Sequence, residues 1–150
     1  MHSRIFQLSY EKINKDDFIT EENFYEDSFI GSVADYVSDN IDRKEDIKWL
    51  MERLKPYGAI LNKKKESIFF PEGFKKKYFS KKFEEFKKMA NEMTLEEFID
   101  DVMIYKLKQI IESKFDFYIY IESLQPLDSF VRDLEEGKKY YIGGIVDYHA

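Results

Sequence analysis

Apolar and polar residues alternate with a period that changes along the chain, and each change predicts an element. The clearest periodic stretch begins at Thr94. Leu95, Phe98, Ile99, Val102, Met103 and Ile110 recur every three or four positions, and Ile104, Leu107 and Ile111 form a second stripe roughly opposite. Thr94 followed by Glu97 has the capping-box spacing. The pattern predicts one helix over residues 94–113, apolar on two sides in its second half and therefore central, with Lys106 snorkelling to water. Residues 115–121 (FDFYIYI) are aromatic and β-branched, as in an interior strand. Helix and strand together are the predicted core.

Around this pair the chain reads in order. Residues 4–10 alternate, with Phe6, Leu8 and Tyr10 on one face of a strand and Gln7 and Ser9 on the other. Residues 11–27 are a polar, acidic connection, punctuated by Phe18, Phe24 and Tyr25 and predicted to drape over the domain. Asp27 or Ser28 can cap a helix reaching about Ser38, with Phe29, Ile30, Val33, Ala34 and Val37 inward. Asp42 and Glu45 repeat the cap spacing before a second helix. Its stripe is Ile47, Leu50, Met51 and Leu54, Pro56 stops it, and Trp49 projects to the opposite side.

Residues 57–61 and 67–70 predict a hairpin across a polar turn. Residues 73–92 are lysine-rich and helical, with a break near Ser80 and one face made by Phe79, Phe83, Phe86, Ala90 and Met93. Pro126 opens a short helix with Leu127, Phe130, Val131 and Leu134 inward, and Gly137 closes it. Residues 139–148 form the last strand, where Gly143 and Gly144 predict a bulge or close packing against a bulky neighbour. The sum is a single α+β domain over residues 1–150. It has a mainly antiparallel sheet of about four or five strands, with helices packed on it and the 94–113 helix central.

Composition narrows the classes of function. A hydrophobic fraction of 43% excludes a disordered chain. No run reaches the ~18 apolar residues of a membrane span, and the N-terminus lacks a signal-peptide core. The absence of cysteine removes disulfides, thiol catalysis and thiolate zinc sites, and fits a reducing cytoplasm. Lysine outnumbers arginine twenty to four, a bias that AT-rich codons produce, which points to a bacterial or phage origin and makes lysine runs less informative.

Charge is unevenly placed. Residues 61–90 hold ten lysines against four glutamates, a net of +6, so the remainder of this −6 chain carries −12. Lys75, Lys76, Lys77, Lys81 and Lys82 interleave with phenylalanines, the combination that single-stranded nucleic acid needs for phosphate contact and base stacking. The simpler alternative is an amphipathic helix with solvated lysines. The six carboxylates of residues 16–27 match no calcium-loop spacing, so a solvated loop or a dock for a basic partner is expected there. Trp49 is either covered by another element or an exposed anchor of the kind enriched at interfaces.

Catalysis has little support, because His2 and His149 lie at opposite ends of the chain and no nucleophile elbow, zinc helix or phosphate loop occurs. No catalytic set, metal ligands or cofactor are expected. The leading expectation is a small acidic cytoplasmic protein that binds a protein partner through Asp16, Asp17, Phe24, Tyr25 and Trp49. A nucleic-acid module over residues 63–88 is the alternative, and a carboxylate-based enzyme the third.

Overall fold

The longest strand, Lys138–His149, is the axis of the sheet. The computed structural model describes residues 1–25 and 28–150. In chain order the elements are β1 (His2–Ser9), a single turn α1 (Phe29–Ser32), β2 (Tyr36–Ser38), α2 (Arg43–Leu54), β3 (Ile60–Asn62) and β4 (Ser67–Phe70). There follow α3 (Phe74–Glu92), α4 (Leu95–Ile99), α5 (Asp101–Ile111), β5 (Tyr118–Ile121), β6 (Ser123–Pro126), α6 (Leu127–Asp133) and β7 (Lys138–His149). The sheet order is β3-β4-β7-β1-β5-β6, with β2 pairing the far end of β7 on the edge that β4 leaves open. Among the described strands, only β1 and β5 pair in parallel.

The predicted α+β class holds, with seven strands among the described residues instead of four or five. β2 and β6 are three and four residues long, too short to display a period. β6 ends at Pro126 on the sheet edge, where a missing backbone donor costs nothing.

Gly143 and Gly144 make the expected bulge. Phe6 pairs with Ile145 and Leu8 with Ile142, so the two glycines together oppose Gln7. The extra residue changes which side chains share a face: Tyr140, Ile142 and Ile145 all enter one core, while Val146 and Tyr148 enter the other. Gly144 cannot carry a side chain, since a Cβ there would lie 2.3 Å from the backbone oxygen of Ile19.

Both faces of the sheet are covered. On one, Ile47, Leu50, Met51 and Leu54 of α2, Phe74 and Tyr78 of α3, and Leu127, Phe130 and Val131 of α6 pack against Phe6, Leu8, Ile68, Phe70 and Ile119. At about 1.5–3 kcal/mol for each fully buried large side chain, this layer is the main source of stability. On the other face the acidic connection drapes as expected. It forms two short 3₁₀ turns, Lys15–Asp17 and Glu21–Phe24, and lays Ile19 and Phe24 over Ile5, Tyr118, Val146 and Tyr148.

Local predictions fared unevenly, for identifiable reasons. α2 begins as expected, with the Asp42 carboxylate accepting from the Glu45 amide at 3.2 Å. The hairpin also forms, though its first strand is Ile60–Asn62 instead of residues 57–61, because Lys55–Tyr57 make a 3₁₀ turn. The helix expected from residue 28 to 38 is one turn, broken where Gly31 takes φ +90°, and residues 36–38 instead close the free edge of β7. Its alternative cap, Asp27, lies outside the described residues, as does Glu26. α3 runs through Ser80 without a break. α6 ends at Asp133, and Gly137, at φ +79°, turns the chain into β7 without capping that helix.

The largest correction concerns residues 94–113. They form two helices, not one, and they are peripheral. Asp100 takes an extended backbone (φ −80°, ψ 124°) and its carboxylate accepts from the Val102 amide at 2.9 Å, so it ends α4 and caps α5. The first apolar stripe is thus split between α4 and α5, and the second (Ile104, Leu107, Ile111) lies on α5 alone. Every residue of α4 and α5 is half-buried or exposed. The strand after them begins at Tyr118, three residues later than expected, though it is interior, between β1 and β6.

Candidate functional site

Three surfaces deserve comparison, beginning with the one around Trp49. The antiparallel register of β1 and β7 pairs His2 with His149 and Arg4 with Asp147, and so brings the two distant histidines together. Their rings meet edge to face at 4.9 Å, and the His149 ring stacks on Tyr36 at 5.1 Å. His2 Nδ1 lies 2.9 Å from Asp147 Oδ2. Arg4 bonds the other oxygen of Asp147 and, at 2.9 Å, the carboxylate of Asp46 in α2. Trp49 stands beside this cluster, 38% exposed, with its ring edge-on to Phe117 at 4.7 Å and the Arg4 guanidinium over its face. An open depression of about 280 Å³ is lined by Trp49 with Glu45, Asp46, Lys48 and Glu52.

Chemically this cluster is a clasp. Asp46 and Asp147 are buried, and a buried carboxylate needs a paired cation. One guanidinium serves both and ties the first strand, the last strand and α2 to each other. A histidine–carboxylate pair can act as a base, but the walls beside it are acidic and Asp147 already shares Arg4. Sequence reasoning set the histidines aside as terminal, although antiparallel pairing of the first and last strands could bring them close, and the register does so. Arg43 was also missed. It bonds the backbone oxygens of Gly143 and Ile142 at 2.6 and 3.1 Å and Glu66 at 2.9 Å, filling the gap on the β7 edge between β4 and β2.

The acidic loop residues are scattered by the fold. Phe24 is buried in the second core, so it fastens the loop to the sheet. Tyr25 is exposed and donates to Glu21 at 2.7 Å. That bond raises the Tyr25 phenol and, together with the Asp39 amide, lowers the Glu21 carboxyl. Asp16 and Asp17 are exposed on the first 3₁₀ turn. Trp49 lies on the opposite layer, against Phe117 of the first core, so these five residues do not make one surface.

On α3 the lysines and rings are used largely within the fold. Phe74 and Tyr78 are buried. Tyr78 donates to the buried Asp128 at 2.6 Å, and Lys82 Nζ reaches the other oxygen of that carboxylate at 2.5 Å. Burial first, and the Asp128 charge second, push the Tyr78 phenol well above its ordinary range. Lys75 donates to the Arg132 backbone oxygen at 2.7 Å, and Arg132 covers the Phe79 ring. Lys76, Lys77 and Lys81 are exposed, but the exposed ring of this stretch, Phe83, already carries the Lys87 ammonium at 4.6 Å.

The third surface is the α4–α5 arm. α5 packs beside α3, and its C-terminal end is held to α6 by Arg132 donating to the Ile111 oxygen at 3.1 Å. The outer side is apolar without a cover: Leu95, Phe98, Ile99, Val102 and Tyr105 are each 57–73% exposed. Scattered exposed apolar residues are ordinary, but five large ones in one short segment are not. Their flanks are charged with a direction. Glu96, Glu97, Asp100 and Asp101 lie at the start of the arm, and Lys106 and Lys108 toward its end.

Among the described residues, no three His, Asp or Glu side chains converge so as to hold a metal ion, and no helix is long and apolar enough to cross a membrane. No protein-family model, curated protein or solved structure matches the chain.

Proposed function

We propose that this is a binding protein that acts by contact with another protein chain, and that the α4–α5 arm is its contact surface. The observation that carries this reading is the row Leu95, Phe98, Ile99, Val102 and Tyr105, uncovered on a segment that the core does not need. The cost of exposing these side chains to water is recovered when a partner covers them. Phe98 and Tyr105 supply aromatic anchors of the kind enriched at interface centres. The lysines of α3 support a nucleic-acid surface less well, because the rings they would need for base stacking are mostly buried or already covered by cations. The Asp16–Asp17 loop and Trp49 remain outside the proposed surface, since they lie on opposite layers of the sheet.

The test is a photoreactive benzoylphenylalanine placed at Phe98 and irradiated in cells that make the protein. A discrete protein adduct, lost when Ile99→Asp is added, is the expected result. A diffuse smear, or an adduct indifferent to Ile99→Asp, would sink the reading.

A further inference from the structure

Resting on the reading of the arm as a protein contact, we infer that its occupant is a second copy of this chain, docked by a two-fold axis that sets α4 of one copy on α5 of the other. Three observations point to this partner.

The first is area. Taking about 200 Å² as the full surface of a large apolar residue, Leu95, Phe98, Ile99, Val102 and Tyr105 leave on the order of 600 Å² uncovered. That approaches the ~800 Å² per partner of a stable interface, and the aliphatic stems of Lys106 and Lys108 at the rim can supply the rest.

The second is charge polarity within one arm. The α4 end is acidic at Glu96, Glu97, Asp100 and Asp101, and the α5 side is basic at Lys106 and Lys108. A foreign partner would need the reverse pattern by coincidence. A second copy has it by construction, because a two-fold axis brings the two ends of identical arms together. With the axis passing near Val102, Glu96 of each copy approaches Lys108 of the other, and Glu97 and Lys106 add charge of the same sign beside each. The apolar residues meet in the same register, with Ile99 opposite Tyr105. Charge pairs of this kind fix register and orientation more than they add affinity.

The third concerns the competing occupant, an anionic lipid surface. An interfacial helix that binds such a surface carries cations around its apolar face. Here the helix that carries Leu95, Phe98 and Ile99 bears Glu96 and Glu97 and no cation, with Asp100 and Asp101 at its end, and these carboxylates would be repelled. A protein surface that brings its own lysines fits.

The experiment is sedimentation equilibrium of the whole purified chain over a range of concentrations, with charge-reversed variants. The wild type is expected to be in monomer–dimer equilibrium. The pair Glu96→Lys and Glu97→Lys in one variant, and Lys106→Glu and Lys108→Glu in another, should each weaken self-association by about tenfold. Mixing the two variants should restore a heterodimer close to wild-type affinity, a rescue that misfolded variants could not give. A chain that stays monomeric throughout overturns the second copy. If the photoreactive Phe98 position then yields an adduct with a different protein, the arm is still a protein contact and only its partner was misassigned. If it yields none, both readings fall. Dimers that ignore both charge reversals also overturn the proposed pairing.

Discussion

Gln7 and Gly144 are joined across the bulge: the Gln7 side-chain oxygen accepts the Gly144 amide at 2.8 Å and the Ile19 amide at 2.9 Å. Its amide group donates to the Asp17 oxygen at 3.1 Å. One side chain therefore satisfies the donor that the bulge leaves without a ladder partner and fastens the acidic connection over the second core. Gln7→Leu, which fits the space but satisfies neither amide, is expected to cost about 2–3 kcal/mol in urea unfolding and to speed proteolysis within residues 11–25. Gly144→Ala should cost at least as much, because its Cβ would meet backbone. Wild-type stability in both variants would show that the loop is held by other means.

Arg4 stands between two buried carboxylates. Arg4→Met is expected to destabilise by about 3–5 kcal/mol, since it leaves Asp46 buried without a cation and Asp147 with only His2 beside it. Adding Asp46→Asn and Asp147→Asn should recover much of that loss. Chemical denaturation of the three proteins measures this, and no recovery would mean that the damage is to packing on Trp49.

Gly73 precedes α3 with φ +84° and has no side chain to cap it. Glu136 does so from the turn before β7, accepting from the Lys75 and Gly73 amides at 2.9 and 3.0 Å. Those two bonds hold its carboxyl below the ordinary value near 4.5. A carboxyl lowered in the folded state contributes stability above its unfolded value and loses it as pH falls through the folded one. The difference in melting temperature between wild type and Glu136→Ala should therefore be full at neutral pH and shrink progressively below about pH 4.5. Melts followed by circular dichroism from pH 7 to pH 3 read it directly, and a gap independent of pH would refute the charged cap.

The arm's apolar residues should be dispensable to the fold itself. Phe98→Ser or Ile99→Ser is expected to change unfolding free energy by less than about 0.5 kcal/mol when measured on dilute protein. Ile119→Ala in β5, a fully buried position, should cost about 2–5 kcal/mol by the same measurement. A large cost at Phe98 would place it in a core and remove the basis for the arm as a surface.

Much of the fold was legible because it is written in local pattern. The Asp42–Glu45 cap and the Ile47, Leu50, Met51, Leu54 stripe of α2, the β3–β4 hairpin and the Gly143–Gly144 bulge need only neighbours in the chain to be recognised. Residues 94–113 misled for an equally local reason. Asp100 is both a helix former's polar position and an N-cap, and a period alone does not say which. Once it caps α5, the stripe from Leu95 to Ile110 is divided between two short helices, and the apolar residues of both stay half-buried or exposed. The candidate surface followed from that correction, since apolar periodicity predicts a partner without saying whether the partner is the chain's own sheet.

Local pattern carries the class of the fold and most helix and strand positions, because backbone propensity, capping and hydrophobic period act over a few residues, and composition alone carries the lopsided charge. Long-range pairing and packing are what bring His2 to His149, give Arg4 two aspartates, place Phe24 in the core and leave Phe98 and Ile99 in water. These depend on strand register and on which of several apolar faces the finite surface of the sheet can cover. The sheet's two faces are filled by α2, α3 and α6 on one side and the acidic connection on the other, so the α4–α5 arm is left without a place in either core.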